Sequence, residues 1–298
     1  MDTARDMAGT LEDAIRAAHD ALLQALRLEP TGDDRFRAEC EGGRFDRIYG
    51  GQLLAQALVA AGATVTDQEP DSLHAYFTGA GTVERPVELS VARVREGRSL
   101  SVRRVEITQE GHPLLAAVAS FHSNPSGPEL ATLAPAGPRP EEVPILQDWA
   151  AAAPSSLEPN ARVWIDRPPP LELRIGEAPF FMGGASQPGA RSHWMRLVGD
   201  VKDSSLHPAL LAYASDYFLL DMAFRSFPEA ASPGRLTGLS VDHAIWIHRP
   251  VDFGRWHVHT QETLAFSGQR GLVRGSIHDQ SGRLVASVAQ EVLVRVNR

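Results

Sequence analysis

The 298-residue chain has one cysteine, Cys40, so it can form no intramolecular disulfide and no cysteine-based zinc site. It has no run near the roughly 20 apolar residues of a membrane-spanning helix, and no stable membrane insertion is expected. Positive charge is in deficit. Twenty-nine Lys and Arg against 37 Asp and Glu give a net charge of -8, which argues against a nucleic-acid partner held by phosphate contacts. The opening MDTARDMAGTLEDAI lacks the basic start and apolar centre of a secretory signal, and a cytoplasmic location is expected. No GxSxG motif marks a nucleophilic serine, and Cys40 sits in a charged segment with nothing to hold a thiolate. The remainder is ordinary globular composition, 43% hydrophobic and 22% charged, at a length suited to about two domains.

What is present is an internal repeat. SLHAYFTGAGTVERPVELSVARV, from Ser72, matches SVDHAIWIHRPVDFGRWHVHTQETL, from Ser240, with His74-Ala75 aligned on His243-Ala244. LLAAVAS at Leu114 matches LVASVAQ at Leu284. The offsets are 243 − 74 = 169 and 284 − 114 = 170, constant enough to mark a duplication. Each copy starts with an apolar segment that reads as a helix, Gly50 to Val65 and His207 to Phe224. Neither has a polar face, so both are expected to be buried. Strand-like runs broken by REGR, QEGH, SGQR and DQSG follow, which read as antiparallel hairpins. A buried helix wrapped by a long antiparallel sheet, twice over, is an α+β double hotdog. The organisation is an N-terminal helix over 1–30, repeat 1 over 31–124, a connector over 125–190 and repeat 2 over 191–298. The connector holds 13 of the 21 prolines and is expected to be irregular, with an edge strand around VWIDRPPPLELRI. In the N-terminal helix Leu11, Ile15, Ala18, Leu22 and Leu26 share a face, suited to packing on the outside or at a subunit contact.

Function should show where a buried element carries a polar group it could do without. Asp216 interrupts ALLAYASDYFLL, where lost hydration raises a carboxyl pKa unless donors compensate. Gln290 alternates with Leu284, Ala286, Val288 and Val292 on the more apolar face of its strand. Ser240 opens the strand to His248. Each also has a structural reading: a carboxylate at the sheet rim, an edge amide bonded to backbone, a turn serine. The alignment sets Ser120 against Gln290 and places Gln56 near Asp216, so carboxylate and amide occur together only in the second copy.

The chain resembles the acyl-CoA thioesterase II (TesB-like) family of double hotdogs. The resemblance runs from about Phe36 to the C-terminus through YGGQLLAQAL, REGRSLSVRRV, AVASFH, LLAYASDYFLL, SVDHAIWIHRP, QRGLVRG and LVASVAQE. It implies an enzyme that hydrolyses fatty acyl-CoA to fatty acid and CoA without a cofactor. Asp216, Ser240 and Gln290 match the positions that bind and activate water, and a homodimer or higher homo-oligomer is implied. Direct water attack suits a chain without a nucleophile motif. Coenzyme A is a polyanion, so cations are needed locally. Arg270 and Arg274 are the candidates for its contacts, with Arg98, Arg103 and Arg104 as alternatives. His257 and His259 share a strand face but have no third ligand, so no metal is expected. The alignment of His243 with His74 suggests a structural role for His243. Two other readings stay open: an enoyl-CoA hydratase, for which Asp216 lacks an evident histidine partner, and a non-catalytic acyl-CoA or lipid binder.

Overall fold

A computed structural model describes residues 2–42, 46–227 and 235–297. The first half comprises α1 (Asp2–Ala25), β1 (Glu29–Gly32), β2 (Arg35–Ala38), α2 (Gly50–Gly62), β3 (Glu69–Phe77), β4 (Val87–Arg95), β5 (Leu100–Gln109) and β6 (His112–His122). The connector carries the short helices α3 (Leu146–Ala151) and α4 (Glu158–Asp166). The second half has β7 (Leu171–Ile175), β8 (Arg191–Leu197), α5 (His207–Ser215), α6 (Leu219–Ser226), β9 (Leu236–Ser240), β10 (Asp242–Ile247), β11 (His257–Ser267), β12 (Arg270–Asp279) and β13 (Leu284–Val296).

One antiparallel sheet runs β1-β2-β4-β5-β6-β3-β10-β13-β12-β11-β8-β7, with β9 added against β13. The order is symmetric about its midpoint, where β3 of the first half pairs with β10 of the second, Ala75 opposite His243 and Leu73 opposite Ile245. This is the α+β double hotdog expected from the repeat, closed within one chain. The sheet wraps α2 and α5. Leu54, Ala55, Ala57 and Ala60 of α2, and Leu210, Leu211, Ala212 and Ala214 of α5, are without solvent contact. Helices apolar on every side are stable only where burial is complete, each leucine contributing about 1.5–3 kcal/mol. The two meet closely at one end, where a Cβ at residue 51 would overlap the carbonyl oxygen of Tyr213. Gly51 is there because only glycine permits that approach.

The structure corrects the sequence reading at several points. The segment His207 to Phe224 is two helices. α5 ends at Asp216, and Phe218 takes a left-handed conformation (φ 66°) before α6 begins. Of the VWIDRPPPLELRI segment, the part before the prolines is helical and only Leu171–Ile175 is the edge strand. That strand pairs with β8, so the second half of the sheet begins ahead of residue 191. α1 packs from the outside by the face read from the sequence: Ile15, Leu22 and Leu26 are buried while Arg16, Asp20 and Gln24 are exposed, and the Gln56 amide of α2 donates to the Ala25 carbonyl at 3.0 Å. The repeat alignment is also off by one where it matters. His74 faces outward and His243 inward, while Ser120 lies on the opposite face from the buried Gln290. Because side chains alternate across a strand, a one-residue slip exchanges faces. Matching of faces and pairs sets His243 against Leu73 and Gln290 against Ala119.

Candidate active site

Asp216 lies where α5 stops, against the first turn of α2. The Gly51 N–H and the Gln290 amide face its carboxylate closely enough to lower its pKa. A Cβ at Gly50 would stand 2.8 Å from Asp216 Oδ2, so the Gly50-Gly51 pair lets a helix N-terminus reach the acid. Gln290, on β13, is 1% exposed. Its Nε2 donates to Ser240 Oγ at 2.9 Å. Its Oε1 lies 2.6 Å from His243 Nδ1. His243 Nε2 in turn lies 2.9 Å from Ser215 Oγ. The structure thus brings together the three residues picked from the sequence and adds two: Ser215, which the sequence does not single out, and His243, for which the sequence suggests only a structural role.

The backbone break at Val241 makes this convergence possible. Residues 240 and 243 would face opposite sides of a regular strand. Here Ser240 pairs with Val292 in β9 and Ala244 with Ala289 in β10, so one extra residue is absorbed between the two pairings. The irregularity re-aims Ser240 to the face that carries His243, and both reach Gln290. The Asp242 carboxylate pins the step by accepting from the Glu291 N–H at 2.7 Å. On the helix side, the left-handed Phe218 turns the chain just after Asp216, and its ring packs edge-on against His193 at 4.8 Å. Sparsely populated backbone held by surrounding packing is common at functional sites.

Burial pushes the Asp216 carboxyl up to about 6, and the donors from Gly51 and Gln290 restrain the rise. The residue still keeps part of its surface open to solvent. A desolvated yet reachable carboxylate whose pKa lies near neutrality suits proton abstraction. Burial lowers His243 to about 4, so its ring is neutral at pH 7. Only the ionised Asp216 can take a proton. kcat/KM is therefore expected to fall about tenfold per pH unit below about pH 6 and to level off above it. A flat profile between pH 5 and 7 would remove Asp216 from that role.

The symmetric position in the first half carries neither the hydroxyl nor the amide. Pro70, opposite Phe121, stands where Ser240 stands opposite Val292. Ala119, opposite Arg103, stands where Gln290 stands opposite Val273. The fully buried Arg103 guanidinium bonds Thr64 Oγ1 at 2.7 Å, the Thr64 carbonyl at 2.9 Å and Glu96 at 2.6 Å, closing the end of α2 with a cation. A cleft of about 780 Å³ remains beside it, walled by Leu58, Val59, Phe121, Leu206 and Ala209. It lies at the far ends of α2 and α5 from Asp216.

Other residues picked from the sequence lie elsewhere. Arg270 and Arg274 project from the outer face of β12, opposite the inward Val273 that pairs with Gln290. They meet Glu291 and Glu262 there, so the structure does not bring them to the trio. Arg98 and Arg104 are exposed. Arg274→Ala is accordingly expected to leave KM for an acyl-CoA within about twofold, since an exposed ion pair contributes about 0–1 kcal/mol. A severalfold rise in KM would show that the outer face takes part in binding. His257 and His259 are both buried, with His257 Nδ1 2.9 Å from the Arg255 carbonyl and His259 Nδ1 3.2 Å from Gln261 Nε2. Among the described residues no three His, Cys, Asp or Glu side chains are grouped to hold a metal. Cys40 contacts the Arg85 carbonyl, and burial raises its thiol pKa, so the sulfur is kept protonated. Gln56 is an anchor, bonded to the carbonyls of Ala25 and Glu39, and not a counterpart of Asp216.

Among the described residues no helix is long and apolar enough to cross a membrane. Comparison with known proteins matches residues 42–122 to the acyl-CoA thioesterase N-terminal domain and residues 140–294 to the acyl-CoA thioesterase C-terminal domain. The chain is 32% identical over 280 residues to acyl-CoA thioesterase 2 of Haemophilus influenzae, covering 92% of this chain and 96% of that protein. It is 33% identical over 283 residues to human acyl-coenzyme A thioesterase 8, covering 91% and 88%. The structure superposes on the tesB protein of Mycobacterium avium subsp. paratuberculosis with a TM-score of 0.76 at 28% identity, over 93% of this chain and 99% of that one. With both halves of the repeat matched by the family's two domains, the chain belongs to the acyl-CoA thioesterase II (TesB-like) family.

Proposed function

We propose that the protein hydrolyses fatty acyl-CoA by direct attack of a water held between Asp216, Ser240 and Gln290. The observation that carries this reading is the convergence of a carboxylate, a hydroxyl and an amide from α5, β9 and β13 at one partly open point. Gln290 uses one amide hydrogen on Ser240 Oγ and the other on Asp216. The Ser240 hydroxyl then keeps its own hydrogen for the water. The water oxygen attacks the thioester carbonyl carbon as Asp216 takes a water proton. Collapse of the tetrahedral species breaks the C–S bond, the fatty acid departs, and the proton on Asp216 passes to the CoA sulfur. Fixing the water beside its base removes the cost of orienting it during attack.

The related sequences favour hydrolysis over the two alternatives, and the site agrees. A hydratase needs a histidine free to exchange protons with substrate, whereas both nitrogens of His243 are engaged, by Gln290 and Ser215. A pure binder has no use for a carboxylate held at a raised pKa. Release of free thiol from saturated acyl-CoA substrates of graded chain length tests the proposal. Steady thiol release supports hydrolysis. Binding without release, or loss of enoyl absorbance with crotonyl-CoA in its place, would replace the reading.

A further inference from the structure

We propose that His243 is a positioning residue that locks the Gln290 amide in the one orientation able to serve Asp216, by donating from Nδ1 to Gln290 Oε1. The proposal rests on the hydrolytic reading for its kinetic consequences and on geometry alone for its proton arrangement.

An amide can be turned over without leaving its place, and then its two ends exchange roles. With Nε2 toward Ser240 and Asp216, Gln290 donates to both and supports an ionised carboxylate. Turned over, it presents a carbonyl oxygen to that carboxylate, which repels it and leaves the acid without one of its two donors. Nothing in Gln290 itself chooses between the two. His243 does, because its ring is 1% exposed and held on both sides, by Gln290 at 2.6 Å and by Ser215 at 2.9 Å. A neutral imidazole has one N–H. If it sits on Nδ1, the Gln290 oxygen is fixed, and Nε2 takes the one Ser215 hydroxyl hydrogen in place of the Ala212 carbonyl, which lies 2.8 Å from the same Oγ. The chain of donors then runs Ser215 to His243 to Gln290 to Asp216 and Ser240, each group donating toward the acid. Burial favours the neutral ring this arrangement requires. The ionisable group facing His243 through Gln290 is Asp216, and His259 on β11 lies within electrostatic range. Ser215 sits one residue before Asp216, so the same turn of α5 that supplies the base also anchors the ring.

The test uses three substitutions in the full chain. The amide nitrogen of asparagine falls near the place of histidine Nδ1, so His243→Asn keeps the donor to Gln290. In His243→Gln the amide falls near the place of Nε2, toward Ser215, and His243→Leu has no donor at all. His243→Gln and His243→Leu are expected to lower kcat about 10- to 100-fold with KM within about threefold, since misplacing a reacting group by about 1 Å costs rates of that order. Their acid limb in kcat/KM should move upward from about pH 6, because Asp216 loses a donor. His243→Asn should keep kcat within about threefold and leave the limb in place. Equal loss in all three, with no movement of the limb, would mean that the ring only fills space and would overturn the proposal. If His243→Leu does not fold, the Asn and Gln variants alone decide.

Histidine-selective 15N NMR of the unsubstituted protein reads the proton directly, with the His243 signals assigned by their loss in His243→Asn. Protonated Nδ1 and bare Nε2 are expected. The opposite tautomer overturns the proposal whether or not the protein hydrolyses thioesters. Failure of thiol release with the expected tautomer would instead count against the hydrolytic reading alone.

Discussion

Asp216→Asn is expected to lower kcat for acyl-CoA hydrolysis about 10³-fold while making the folded protein more stable at neutral pH. The first effect follows from removal of the base, since general-base contributions are typically about 10²–10⁴-fold. The second follows from the sign of the pKa shift. In the folded chain the Asp216 carboxyl titrates near 6, above its ordinary value of 3.8. Between those values the folded state binds more protons than the unfolded one, so stability falls as pH rises through that window. By pH 7 the cost of holding the ionised acid is on the order of 3 kcal/mol, at about 1.4 kcal/mol per pH unit. Asparagine is close in shape and carries no charge to desolvate. Its stability gain should be present at pH 7–8 and vanish below about pH 4, where aspartic acid is neutral in both states. Urea unfolding at pH 4 and pH 8 measures this. A variant that is inactive and less stable at pH 8 would point to lost packing as the cause of inactivity.

The second large effect is structural and lies one turn further along. Asp221, in α6, is 4% exposed. It accepts from Arg191 Nη2 at 2.7 Å and from the N–H groups of Phe180 and Phe181 at 3.1 and 3.0 Å. Arg191, at the start of β8, is itself 4% exposed. One carboxylate thereby ties the end of the proline-rich connector, the strand next to the sheet edge and the helix that follows the turn at Phe218. Asp221→Ala strands a buried guanidinium and two amide hydrogens at once. Breaking such a pair from one side costs about 3–5 kcal/mol, a large share of the 5–15 kcal/mol typical of a folded protein. The denaturant midpoint should fall accordingly, and Asp221→Asn, which keeps an acceptor oxygen, should lose less. A midpoint unchanged in Asp221→Ala would mean that solvent reaches the pair. The Phe218 ring packs against Arg191, with the guanidinium carbon 5.7 Å from the ring centroid. The same substitution should therefore also lower kcat through the turn that aims Asp216.

The repeat, the buried helices and the hairpins could be read from residues because each leaves a periodic trace: apolar all round for α2, glycine in every short break between alternating runs. Asp216, Ser240 and Gln290 could be named because a polar group in an apolar element stands out, and because the resemblance assigned them roles. His243 could not. A histidine next to the site looked like half of a matched pair with His74, and only the faces of β3 and β10 show that one points out and the other in. The break at Val241 had no sequence signal either, since alternation through SVDHAIW reads as continuous strand. The end of α5 at Asp216 was hidden for the opposite reason. Leu219, Met222 and Ala223 continue the helical apolar pattern across the left-handed Phe218. Charge alone did not place the two arginines on β12. Arg270 and Arg274 had the right charge for a polyanion, but the alternation that buries Val273 turns them to the outside, where they pair with Glu291 and Glu262.

The central claim is that one water, gripped by Asp216, Ser240 and Gln290, is the nucleophile. A crystal structure of the Asp216→Asn protein with an intact acyl-CoA bound tests it most directly. The expected result is a water within hydrogen-bond reach of residue 216, Ser240 Oγ and the Gln290 amide, about 3–3.5 Å from the thioester carbonyl carbon. A thioester lodged instead in the cleft between Leu58 and Leu206, or a carbonyl carbon in contact with residue 216 itself and no room for water between them, would contradict it.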